Sequence, residues 1–279
     1  MAKAMTPAET RAAMTKWKVP VKYYPGWETR GRRAFGDVHG CFIHHTGSDS
    51  QSDDYLKWLF TIGRESEGIP APLCNVSTDM DGDLHIGATL VANHAGAGSS
   101  QTMRHVVNED YAGYAQELHP GADDLSGNFS NGSYYGNEVR FDGGQPMTAK
   151  QWTAATLWAA AVCDHHGWSA LSVIGHREHT RRKNDPGSTP MNKFRADVAA
   201  LLKAGPPNTG STTPKGTTMA SVLTPTEQAQ LAKAGWLADQ FAQGAQFEEQ
   251  LDRIEALLST GGVVKNQLDR IEADTDRIP

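Results

Sequence analysis

The segment Phe42-Ile43-His44-His45-Thr46-Gly47 ends an apolar run with two adjacent histidines and a glycine. Side chains alternate across a strand, so His44 and His45 face opposite sides of any sheet that holds them. Only one of the pair can point into a given site, and alternation alone leaves open which. A second short apolar run, 171–174, leads into Gly175-His176-Arg177-Glu178, and the turn Lys183-Asn184-Asp185-Pro186-Gly187 then supplies a carboxylate. Two histidines and one carboxylate form a standard catalytic zinc set that keeps one coordination position open for water.

Outward from these motifs, short apolar runs over 38–45, 73–78, 84–90, 136–141 and 171–174 read as strands. Helical patterns over 7–17, 52–62, 149–165 and 191–202 alternate with them, which predicts an α/β domain over 1–204. In the third helix Trp152, Ala155, Leu157, Ala159 and Val162 keep an apolar side, and Gly167 stands just beyond as a stop. Its expected job is to cover the sheet.

The segment 205–219 is rich in Pro, Gly, Ser and Thr and reads as a flexible linker. Beyond it, 220–279 carries ten acids against five bases, so most of the net charge of -6 sits there. Phe247, Leu251, Ile254 and Leu258 fall on one helical stripe. The heptapeptide QLDRIEA at 250–256 recurs at 267–273 with Gly261-Gly262 between the copies, which fits two short amphipathic helices better than one continuous coiled coil. A small C-terminal α-helical region is therefore expected, serving self-association into a homo-oligomer or an accessory role.

Composition removes other classes. Apolar residues make up 38% and charged residues 21% of 279, and no stretch approaches the roughly 18 apolar residues of a membrane helix. Membrane insertion is not expected. The charge offers no basic footprint for nucleic acid. Residues 1–20 lack the apolar run of a secretory signal. Cys41, Cys74 and Cys163 form no CxxC pair and read as buried free thiols.

Taken together, FIHHTG, the GNEVRF run at 136–141 and GHRE leading to KNDPG resemble the type-2 amidase family, which includes peptidoglycan recognition proteins and many phage lysins. The resemblance spans residues 25–200. It implies a central mixed β-sheet flanked by helices and hydrolysis of the amide between N-acetylmuramic acid and L-alanine in bacterial peptidoglycan. It also implies Zn2+ held by His44, His176 and Asp185, with Glu138 as catalytic carboxylate and Lys183 as cationic helper. Without the motifs around them, Glu138 would read as an ion-pair partner of Arg140, and Lys183 as part of a solvated basic run.

The segment 92–98 looks like a loop of actinobacterial-phage relatives, which would put Asn93 and His94 at the rim of the substrate groove; a glycine-rich turn stabilised by His94 is the plain alternative. One departure concerns a tyrosine-histidine pair common in the family. Cys74 and Asn75 stand in its place, so its tyrosine would be absent or replaced by Tyr134 or Tyr135. The missing signal suits a phage endolysin made in the host cytoplasm and acting on the wall after membrane permeabilisation. The rival readings are a non-catalytic wall-binding module and a zinc peptidase acting within the stem peptide.

Overall fold

The computed structural model describes residues 2–207; the expected linker and C-terminal helices fall almost wholly outside the described residues. In chain order the strands are β1 Ala2–Lys3, β2 Val21–Tyr23, β3 Asp37–Val38, β4 Cys41–His45, β5 Gly63–Arg64, β6 Ile69–Pro70, β7 Val76–Thr78, β8 Leu84–Ile86, β9 Tyr135–Val139 and β10 Val173–Gly175. The helices are α1 Pro7–Lys16, α2 Asp53–Lys57, α3 Ser100–Asn108, α4 Gly127–Asn131, α5 Ala149–His166, α6 His176–His179 and α7 Met191–Ala204. Six strands form the central sheet in the order β10-β4-β9-β7-β8-β2. All neighbours run parallel except β7 and β8, which form an antiparallel hairpin through the Asp81-Gly82 turn. The sheet is mixed, as expected.

Both faces carry apolar side chains, which parallel strands buried on two sides require. One face presents Cys41, Ile43, Val76, Tyr135 and Val139 to α5, with α1 and α7 beside it. Helix α5 starts cleanly because Thr148 and Gln151 make a reciprocal capping box, and it stops at Gly167 in the left-handed conformation. Ala155, Ala159 and Ala160 are fully buried, so small side chains let the helix lie close on the sheet. On the other face Phe42, Tyr134 and Ile174 pack with Met103 and Val106 of α3. Burial of each such large side chain contributes ~1.5–3 kcal/mol.

The expected strands exist but are shorter. The run 38–45 breaks at Gly40, whose φ of 113° turns the chain between β3 and β4. The run 84–90 ends at Ile86 because Gly87 lies against the Phe60 ring, where a Cβ would come within 2.1 Å. The helix expected over 52–62 is α only to Lys57 and continues as a π-helical turn over Trp58–Ile62.

Candidate metal centre

Sheet register brings the site together. In the parallel pair β4 and β9, His44 stands directly opposite Glu138, so both side chains leave the same face. On the other side of β4, Gly175 pairs with Ile43, and the next residue, His176, therefore emerges beside His44. Glu178 fixes this corner: its carboxylate accepts the Gly175 N–H at 2.9 Å and is held by Arg195 at 2.8 Å. Asp185 is tied to the same corner, since the Arg177 N–H donates to its carbonyl at 2.8 Å.

Three buried atoms converge there. His44 Nδ1 lies 2.8 Å from Asp185 Oδ2 and 3.1 Å from His176 Nδ1, and His176 Nδ1 lies 3.0 Å from Asp185 Oδ2. The Nε2 of His176 faces the Ala95 carbonyl at 2.8 Å. A carbonyl can only accept, so Nε2 carries the hydrogen and Nδ1 of the neutral ring offers a lone pair. Burial pushes the His44 imidazole down to about 4, so the ring is neutral near pH 7. The two Nδ1 atoms and a carboxylate oxygen are turned on one point, and this N,N,O donor set fits a tetrahedral metal with one open position. The three could hold a metal. No other such group occurs among the described residues.

Around the three runs a cavity of 260 Å³ lined also by Glu138, Lys183, Asn93 and His94, so the folded chain brings all seven expected residues together. Glu138 does not pair with Arg140, whose guanidinium turns to Asp79 at 3.2 Å. Burial, reinforced by the negative Asp185, pushes the Glu138 carboxyl well above its ordinary value. Its Oε2 is buried without a hydrogen-bond partner. Lys183 is exposed at the cavity mouth. His45 leaves the opposite side of its strand, packs edge-on against Phe141 and accepts the Gly47 N–H through Nδ1 at 2.9 Å.

The expected groove rim differs in detail. The Asn93 amide is committed to the chain, donating to the Pro70 carbonyl at 2.8 Å and accepting from Asn131 at 3.3 Å. His94 is only 8% exposed and stands behind His44, with Nδ1 3.1 Å from His44 Nε2. Neither Tyr134 nor Tyr135 reaches the cavity: the first donates to the Met103 sulfur, and the second lies on the α5 face and accepts the Met5 N–H. The cavity tyrosine is Tyr55, joined by Trp58 and Arg64, and sequence reasoning missed all three. Tyr55 and Trp58 gave one signal, two aromatics three residues apart after the polar start Ser52-Asp53-Asp54, and Arg64 gave none. Cys74 is fully buried and burial pushes its thiol well up, which leaves it inert. Asn75 braces the sheet, accepting the Gly136 N–H at 3.0 Å.

The fold is similar to the endolysine N-acetylmuramoyl-L-alanine amidase LysCS from Clostridium intestinale URNW, at 11% identity over 64% of this chain and 94% of that one, with a TM-score of 0.43. It is similar to Drosophila peptidoglycan recognition protein SA at 15% identity, over 63% and 90%, with a TM-score of 0.41. A selenomethionine derivative of AmpD gives 16% identity over 66% and 96%, with a TM-score of 0.43. No curated protein matches the chain. The family model for N-acetylmuramoyl-L-alanine amidase matches residues 34–188, more than half of the chain and a span that includes His44, His176 and Asp185, so this chain belongs to that amidase family.

Proposed function

We propose that the protein is a zinc-dependent N-acetylmuramoyl-L-alanine amidase that cleaves the bond between N-acetylmuramic acid and L-alanine in peptidoglycan. The observation that carries this reading is the convergence of His44, His176 and Asp185 beside the uncompensated Glu138 carboxyl in one cavity. Zinc held by the trio supplies Lewis acidity and makes water nucleophilic near neutral pH.

The chain's own residues supply the rest. Glu138, with its proton affinity raised by burial, takes the proton of the attacking water and returns it to the departing alanine nitrogen. Lys183 at the mouth places a positive charge where the amide oxygen gathers negative charge. Tyr55 and Trp58 in the cavity lining offer aromatic surface to the glycan or peptide. Asn93 contributes at the groove rim through the loop it anchors.

The test is zinc content measured alongside cleavage of purified peptidoglycan, before and after chelation, with products read by mass spectrometry. One zinc per chain and chelator-sensitive release of intact stem peptides from muramic acid is the expected result. Bound zinc without cleavage would point instead to a wall-binding module, and new amines within the stem to a peptidase. We also propose an endolysin role in host lysis, from the host cytoplasm to the wall after membrane permeabilisation, and a C-terminal region, 220–279, that serves self-association beyond the linker. Lysis of cells expressing the protein should then require a membrane-opening agent.

A further inference from the structure

The two histidines of the trio are oriented by one short loop. His176 places its Nε2 hydrogen on the carbonyl of Ala95 at 2.8 Å. The preceding residue, His94, contacts His44: its Nδ1 lies 3.1 Å from His44 Nε2, and its own Nε2 lies 3.1 Å from the Tyr134 carbonyl. The Tyr134 carbonyl only accepts, so His94 Nε2 carries the hydrogen and His94 Nδ1 is the lone-pair atom. His44 Nε2 must donate to that lone pair, which leaves His44 Nδ1 bare and turned toward His176 and Asp185.

The surroundings are shaped for this contact. The Asn131 Oδ1 accepts the N–H groups of residues 94, 95 and 96 at 3.0, 2.7 and 3.3 Å, which pins the loop. Residue 136 has no side chain, and a Cβ there would meet the His94 ring at 2.6 Å. Gly136 therefore admits the imidazole against the sheet, two residues before Glu138 on the same strand face.

We propose that His94 is a positioning residue that sets the tautomer of His44, and that the pair His94 and Ala95 is a shared brace for both metal-binding imidazoles. The proposal rests on the zinc reading above. Removing an outer partner of a ligating histidine typically weakens metal binding about 10–100-fold. His94→Phe keeps the ring and removes the acceptor, whereas His94→Asn puts an amide oxygen near the place of Nδ1 and keeps it.

The experiment measures zinc affinity of the full-length wild type and both variants by chelator competition at one pH, with imidazole nitrogen NMR on the zinc-loaded wild type. The expected result is about 10–100-fold weaker binding in His94→Phe, recovery of most of that loss in His94→Asn, and a hydrogen on Nε2 of His44. Equal affinity in all three proteins, with only a raised KM in His94→Phe, would make His94 a substrate contact and overturn the proposal. A hydrogen on His44 Nδ1 would overturn it even if a variant failed to fold. Failure of the wild type to bind zinc would instead sink the metal reading beneath it.

Discussion

Replacing Arg195 by methionine should destabilise the domain severely and disturb the candidate metal centre from a distance. Arg195 and Glu178 are both 0% exposed and joined by two contacts of 2.8 Å. The guanidinium also donates to the carbonyls of Gly113 at 2.8 Å and Val173 at 3.0 Å. Methionine roughly fills the volume but strands a buried carboxylate, a change that costs about 3–5 kcal/mol. At about 2–4 °C per kcal/mol for a domain of this size, the melting temperature should fall by roughly 6–20 °C. Because Glu178 also holds the Gly175 N–H next to His176, zinc affinity should fall as well. Urea unfolding in the presence of a chelator reads the first effect free of metal linkage, and chelator competition reads the second. Pairing Arg195→Met with Glu178→Gln should recover part of the stability, since no charge is then left alone. A single-variant loss below about 1 kcal/mol would refute the claim that this ion pair holds the corner.

The trio and its neighbours make further predictions. Glu138→Gln should retain zinc and lose about 10²–10⁴-fold in kcat, and Lys183→Ala about 10²-fold, both read by stem-peptide release beside metal analysis. Burial holds His44 and His166 down to about 4 and His179 to about 3. The unfolded chain therefore takes up protons first, so the urea midpoint of the metal-free protein should fall steadily as pH drops from about 6.5 toward 4; a flat profile would contradict the burial argument. Deleting 206–279 should leave cleavage chemistry intact and lower the assembly size in sedimentation, and an unchanged assembly would count against self-association through the tail.

Much of the architecture was legible because its signals are local. Helix α5 carries its own start, stripe and stop in Thr148, Ala155 and Gly167, and the histidine pair on β4 announces its opposite faces through alternation. Other elements escaped because partners create them. Strand β2 is three residues long with Lys22 in its middle, and it exists as a strand by lying along β8. Helix α3 had readable cues in the Ser99 cap and the Met103 and Val106 stripe, lost among polar neighbours. In the site, the motifs pointed to the trio and Glu138, while the place of His94 depended on a vacancy at Gly136 some forty positions away. No periodicity within either segment encodes that meeting. The same holds for Tyr55 and Trp58, which reach the cavity where α2 loosens into a π-helical turn.

The order in which the sheet is filled has a consequence for how the protein is made. β4 sits between β9 and β10, the last two strands among the described residues, and His176 and Asp185 follow the second of them. A ribosome that has released the first 150 residues has delivered His44 and Glu138 but neither His176 nor Asp185. Parallel strands far apart in sequence also pair slowly. The group of His44, His176 and Asp185 can thus close only after residue 185 has left the ribosome, and a chain interrupted before Gly175 lacks two of its three members.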